Sequence, residues 1–199
     1  MKLLITGGCG FLGSNIAAKY LNEGHQVCIV DSLFREGSSL NLEWLNSIAS
    51  QNQFQFIKQD LANRDEVKEI FKNYGPFEYV CHVAGQVAMT KSIENPHRDL
   101  LTNVLGTFNL LDACRKFSPD AFFAYSSTNK VYGDLKYLNY EESELRYLLP
   151  DFPKGLNEEL NLDFSTPYGC SKGAADQYVR DWSRVFELKT VVFRHSSIY

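Results

Sequence analysis

The sequence predicts a doubly wound α/β domain, a mostly parallel sheet with helices on both faces, and three observations predict it. Apolar runs of strand length recur at residues 3–6, 26–31, 54–59, 79–84, 121–126 and 189–193. Between them lie stretches of helical spacing, with Leu12, Ile16, Ala17, Tyr20 and Leu21 on one stripe and Leu101, Val104, Leu105, Phe108 and Leu111 on another. The first strand runs directly into glycines at 7, 10 and 13. Strands that alternate with helices call for right-handed crossovers and therefore a parallel sheet. With 199 residues and 44% apolar content the chain can bury one sizeable core, so residues 1–199 are read as one domain without internal repeats.

Composition narrows the partners. A net charge of −4 without any long basic run leaves no phosphate-neutralising surface, which argues against nucleic acid. The opening run Met1–Thr6 is too short for a secretion signal, and no segment approaches the ~18 apolar residues of a membrane span. Five cysteines, odd in number and widely spread, suit reduced thiols in a cytoplasm. Cys81 and His82 are neighbours in a strand and point to opposite faces, so no metal is expected there or elsewhere.

Taken in chain order, the first strand, turn and helix carry the clearest chemistry. Thr6-Gly7-Gly8-Cys9-Gly10-Phe11-Leu12-Gly13 places backbone N–H groups and a positive helix end where a pyrophosphate can sit. Gly7 permits the tight turn, Gly10 lets the diphosphate approach the backbone, and Gly13 lets the helix pack on the sheet. The second strand ends at Asp31, whose carboxylate can accept both ribose hydroxyls of an adenosine; a 2′-phosphate would meet like charge, which favours NAD over NADP although Arg35 is near. At the end of the third strand Asp60, with Leu61 beside it, is placed to reach an adenine amino group through side chain or backbone and also to cap a helix over 65–74, two roles that are compatible. The fifth strand ends in consecutive hydroxyls, Ser126-Ser127-Thr128, beyond the carboxyl edge where such sheets bind ligands; Thr128 is a candidate to hold a reacting hydroxyl. Residues 133–166 have no sustained period, and read either as a surface excursion with a short helix near 141–149 or as an active-site cover. Tyr168 and Lys172, four apart, share one face of a helix running to about Phe186. An ammonium beside a phenol is expected to lower its pKa and make a usable base.

The glycine turn, Ser126-Ser127-Thr128 with Val131-Tyr132-Gly133, the Tyr168/Lys172 pair and Asn103-Val104-Leu105-Gly106-Thr107-Phe108-Asn109 resemble the extended short-chain dehydrogenase/reductases, over the whole chain. Within them, residues 31–38, 41–45, 167–178 and 193–196 are most similar to the CDP-tyvelose (CDP-paratose) 2-epimerases. The resemblance implies a Rossmann fold with bound NAD, Tyr168 as acid/base, Lys172 as its modulator and a ligand of the nicotinamide ribose, and Thr128 as the substrate-orienting hydroxyl. It further implies cofactor contacts from Phe11, Leu12, Ser32, Ala84, Gly85, Gln86, Ser126, Arg194 and His195, with Asn103 supporting the site. The implied substrate is a CDP- or UDP-linked sugar, epimerised through a transient ketone, in an enzyme that works as a homo-oligomer. UDP-sugar 4-epimerases and nucleotide-sugar 4,6-dehydratases share the fold, but the dehydratases carry an Asp-Glu pair where Asn129 and Lys130 stand. A non-catalytic NAD-binding sensor is the alternative from another class. The family continues into a smaller sugar-binding domain, so this chain is expected to be a fragment that binds NAD weakly and turns over no sugar alone.

Overall fold

The computed structural model describes residues 1–50 and 52–199. Strands and helices alternate from the start: β1 (Lys2–Thr6), α1 (Phe11–Asn22), β2 (Gln26–Asp31), α2 (Ser38–Ile48), β3 (Phe54–Lys58), α3 (Arg64–Tyr74) and β4 (Tyr79–His82). Then come α4 (Met89–Glu94), α5 (Pro96–Asp99), a π-helical segment (Leu100–Leu105), α6 (Gly106–Phe117) and β5 (Phe122–Ser126). A 3₁₀ turn (Asn129–Tyr132), the two-residue strands β6 (Glu141–Glu142) and β7 (Tyr147–Leu148), α7 (Thr166–Phe186) and β8 (Lys189–Phe193) complete the chain. The six long strands form one sheet in the order β3-β2-β1-β4-β5-β8 with every pairing parallel, the doubly wound architecture expected.

Two cores explain why these residues make these elements. Alternate side chains of each strand point to opposite faces. Leu3, Ile5, Val27 and Ile29 meet Ala17, Ala18 and Leu21 of α1 and Leu45 of α2 on one face. Leu4, Cys28, Val30, Val80, Phe123 and Tyr125 meet Val67, Leu110, Leu111, Val179 and Trp182 of α3, α6 and α7 on the other. A strand such as β2, with Val27 to Val30 all buried, therefore has to be apolar throughout. Cys81 packs on the first core, whereas the His82 ring lies against Phe123 and Tyr125 of the second.

Three expectations are corrected. The helical stripe over 101–117 is not one α-helix: it opens as the π-helical segment, whose extra residue per turn turns Asn103 inward. Asp60 does not cap α3; Asn63 does, its side chain accepting from Glu66 N–H at 3.4 Å, with Asp65 and Glu66 in the first turn. Residues 141–149 form no helix but the exposed β6–β7 hairpin, because a short stretch with no core to pack against does not sustain helix nucleation. The segment's ends are pinned together: Asp163 N–H donates to the Val131 carbonyl at 3.0 Å, and a Cβ on Gly133 would lie 2.4 Å from the Asp163 carbonyl oxygen.

Candidate active site

Parallel register sets Thr6 beside Val30 and His82, and His82 beside Tyr125, so the carboxyl ends of β1, β2, β4 and β5 open onto one edge. The order reverses between β1 and β4, and there a crevice of about 1270 Å³ runs along the sheet. Gly7, at φ +69°, turns the chain out of β1; its N–H donates to the Val30 carbonyl at 2.8 Å. Gly13 lets α1 start against this turn, since a Cβ there would sit 2.2 Å from the Gly7 carbonyl oxygen. A Cβ on Gly10 would meet only that oxygen, at 3.2 Å, and otherwise project into open space. Gly8 is just as constrained, with Ile29 Cγ2 at 2.3 Å from its absent Cβ, a demand that glycine spacing could not show. Asp31 braces the turn while walling the crevice: Oδ2 accepts from Cys9 N–H at 3.0 Å and Oδ1 from Leu33 N–H at 2.8 Å.

The facing half is built from side chains far apart in sequence. Thr128, Tyr168 and Lys172 converge on the crevice beside Ser126 and Ser127. Lys172 Nζ donates to the Ser126 carbonyl at 2.5 Å and lies 4.4 Å from the Tyr125 ring centroid. Behind them, Asn103 Oδ1 accepts from Gln86 N–H at 2.9 Å and Asn103 Nδ2 donates to Ser171 Oγ at 2.9 Å; Ser171 in turn donates to the buried Asp99 carboxylate. Asn109 Nδ2 holds the Leu61 carbonyl at 2.9 Å. A second buried carboxylate, Asp176, accepts from Ser127 Oγ at 2.9 Å and bidentately from Arg194 at 2.9 and 3.0 Å, while Arg194 Nη1 donates to Tyr132 OH at 2.8 Å.

Burial sets the electrostatics. It brings the Lys172 ammonium down to about 7 against the opposing pull of Asp176 and Asp99. It raises the Tyr168 phenol, with the Thr128 hydroxyl acting the other way and Asp99 adding to the rise. The expectation that Lys172 would lower this phenol is thus corrected: Lys172 spends its proton on the Ser126 carbonyl, and desolvation prevails at Tyr168. His82 falls to about 3 for the same reason, with Lys172 nearby contributing. Thr107 donates to the Asn103 carbonyl at 2.6 Å, so its oxygen accepts from His82 Nε2 at 2.8 Å, leaving Nδ1 to accept from Thr6 at 2.7 Å. The arrangement is a neutral phenol, a hydroxyl and a lysine poised to change charge near neutrality at one end of a long crevice, which is acid/base equipment.

Most sequence-selected positions line the crevice: Gly7, Gly10, Phe11, Leu12, Gly13, Asp31, Ser32, Arg35, Asp60, Leu61, Ala84, Gly85, Gln86, Ser126, Thr128, Tyr168, Lys172 and His195. Asn103 lies behind the wall, holding Gln86 rather than facing the space. Arg194 is corrected too: it turns away to Asp176 and Tyr132 because that buried carboxylate needs a partner. No residue of 133–166 lines the crevice. Phe34, Arg98 and Thr102 do line it, and with Asp99, Ser171 and Asp176 they were missed. Asp99 and Asn103, one turn apart, and Lys172 and Asp176, four apart on α7, were local signals. Among the described residues, no group of three or more His, Cys, Asp or Glu is placed to hold a metal ion, and no helix is long and apolar enough to cross a membrane.

The fold and the site define a domain of the extended short-chain dehydrogenase/reductase type. The chain belongs to the GDP-mannose 4,6-dehydratase family, which it matches over residues 4–199. It is 52% identical over 199 residues to the CDP-paratose 2-epimerase of Salmonella typhi, covering all of this chain and 58% of that protein. It is 35% identical over 208 residues to the dTDP-glucose 4,6-dehydratase of Salmonella typhimurium, covering 100% and 55%. Among solved structures, the UDP-glucose 4-epimerase of Thermotoga maritima with UDP-glucose superposes with a TM-score of 0.79 at 28% identity, covering 100% of this chain and 56% of that one. The chain thus spans little more than half the length of these relatives.

Proposed function

We propose that this chain is the NAD-binding, acid/base half of a nucleotide-sugar epimerase that inverts carbon 2 of a CDP-linked sugar. The observation that carries the reading is the 52% identity, sustained over the whole chain, to a CDP-paratose 2-epimerase. The residues fit the cofactor: the side of Gly10 open to space leaves a cradle that any Cβ would fill, and Asp31, Asp60 and Leu61 continue the crevice from it. NAD held there supplies the hydride acceptor and returns the hydride, so that no net oxidation results. Thr128 fixes the reacting hydroxyl. Tyr168 acts as base only once ionised: as the phenolate it takes the hydroxyl proton, as the phenol so formed it gives that proton back on the return step, and Lys172, one helical turn away, sets positive charge against the phenolate. His195 borders the same end of the crevice. Five unpaired thiols fit a reducing, cytoplasmic setting, and Tyr178, Val185 and Phe186, exposed on the outer face of α7, offer an apolar stripe to a second copy. The 133–166 segment, anchored between the Thr128 and Tyr168 ends of the site, is its flanking loop.

The likeness to solved 4-epimerases favours inversion at carbon 4 of a UDP-sugar as the second reading. Water elimination has less support, because Asn129 and Lys130 provide no acid pair beside Thr128. Product analysis by NMR on CDP-paratose, UDP-glucose and dTDP-glucose, with the protein that carries this chain, tests all three. Inversion at carbon 2 of the CDP-sugar is expected; inversion at carbon 4 of UDP-glucose, or a 4-keto product from dTDP-glucose, overturns the proposal.

A further inference from the structure

Behind Tyr168 and Lys172 lies a carboxylate that the chemistry above does not use. Asp99, the last residue of α5, is fully buried. Among the described residues its oxygens accept only from neutral groups: Oδ2 from the Ser171 hydroxyl, and Oδ1 from Gln86 Nε2 at 3.3 Å and Asn103 Nδ2 at 3.4 Å. Ser171 Oγ itself accepts from Asn103 Nδ2 at 2.9 Å, so its hydrogen is left for Asp99. A carboxyl group ringed by donors in this way is held as the anion. Asp176 differs, because Arg194 binds it bidentately and balances its charge. The partners of Asp99 also touch the reacting pair. Ser171 lies between Tyr168 and Lys172 on α7, its Oγ 3.1 Å from the Tyr168 carbonyl oxygen, and a Cβ on Gly85 would lie 3.0 Å from Asn103 Oδ1 and 3.7 Å from Lys172 Nζ.

The other charged and titratable groups around the pair are balanced or neutral. Arg194, after β8, is taken by Asp176 of α7, Lys91 and Glu94 of α4 pair at 2.7 Å, Arg98 of α5 holds Asp60, and Lys130 of the 3₁₀ turn is exposed to solvent. Burial keeps His82 of β4 neutral, opposes the charge of His195, and holds Tyr125 of β5 as the phenol. Asp99 therefore faces Lys172 and Tyr168 with a charge that no basic partner cancels, in a water-poor interior where Coulomb forces carry far. Such a charge supports the Lys172 ammonium and opposes ionisation of the Tyr168 phenol. We propose that Asp99 is a positioning residue for the proton transfer at Tyr168: a buried anion fixed behind α7, it retains the proton shared out between Tyr168 and Lys172. The proposal rests on the acid/base reading above and adds the group that sets the pH at which that pair becomes competent.

The working form of the pair is a phenolate beside an ammonium, so turnover rises with pH as the fully protonated pair loses its first proton. Removing a negative charge lets that proton leave at lower pH, whichever of the two groups releases it. The test is the pH profile of turnover for whichever of CDP-paratose, UDP-glucose and dTDP-glucose the protein that carries this chain converts. Wild type is compared with Asp99→Asn, with the smaller Asp99→Ser, which admits water to the stranded donors, and with Asp99→Glu, with unfolding midpoints measured alongside. Asp99→Asn and Asp99→Ser should move the rising limb to lower pH by about one unit or more, the scale of a lost neighbouring charge. Asp99→Glu keeps the charge and should hold the limb at its wild-type position, even if turnover falls. A limb that stays in place or moves to higher pH in the neutral variants, or moves equally in Asp99→Glu, overturns the proposal while the acid/base reading stands. Failure of both neutral variants to fold overturns it as well, since Asp99 would then serve the fold. A wild-type protein that converts none of the three sugars overturns both.

Discussion

The two halves of the sheet build their parts of the crevice in different ways. The β1–β3 half relies on backbone: a left-handed glycine, a helix started against a carbonyl, and a carboxylate that accepts main-chain N–H groups within 22 residues of its own position. The β4–β8 half relies on buried polar side chains joined over long separations, Ser171 to Asp99 across 72 residues and Ser127 to Asp176 across 49. Backbone construction tolerates most side-chain changes outside its glycines. Side-chain networks lose a great deal when one member goes, because the remaining polar groups stay buried without partners.

The largest expected effect exploits that asymmetry. Asp176 is fully buried and the Arg194 side chain is 11% exposed, so Asp176→Ala leaves a largely buried guanidinium without its carboxylate, with only the Tyr132 hydroxyl to accept from it, and should destabilise the fold by about 3 kcal/mol. Denaturant unfolding should show the midpoint falling sharply, whereas Asp31→Ala, on the backbone-built half, should move it far less. Equal losses would erase the contrast between the halves.

Next in size, Tyr168→Phe should lower turnover of the CDP-sugar ~100-fold or more in the protein that carries this chain, the scale of a lost general base, while folding and NAD affinity persist. Near-normal turnover would remove Tyr168 from the chemistry.

A third expectation concerns pH. His82 is held neutral down to about 3, whereas the unfolded chain takes up that proton near 6.5. Its contribution to stability is therefore complete above pH 6.5 and is lost as pH falls towards 3, at no more than about 1.4 kcal/mol per pH unit, or about 2 kcal/mol by pH 5. His82→Gln should be less stable overall yet show a flatter decline between pH 6.5 and 5 in paired unfolding curves. A parallel decline would mean that His82 is not the group titrating.

The smallest effect belongs to Asp31. NAD should bind at least tenfold more tightly than NADP, a gap of ~1.4 kcal/mol, and Asp31→Ala should narrow it mainly by weakening NAD. Calorimetry giving equal affinities to the unaltered chain would sink this, and would point to Arg35 as the residue that accommodates a 2′-phosphate.

The sequence by itself determined the alternation of elements, the turn at Gly7, the acceptor at Asp31 and the Tyr168/Lys172 pair. Each is a local pattern, a period of two or 3.6 or a short fixed spacing, and local patterns are what backbone sterics impose. Tertiary structure alone decided that Arg194 faces Asp176, that Asn103 turns inward from a π-helical segment, that 141–149 pairs as a hairpin, and that Phe34 and Arg98 meet. It also decided the charge states, since neither the depressed Lys172 nor the raised Tyr168 follows from their spacing. Those outcomes depend on which distant groups share a buried space, and desolvation and the pairing it forces act only once the chain has closed around them.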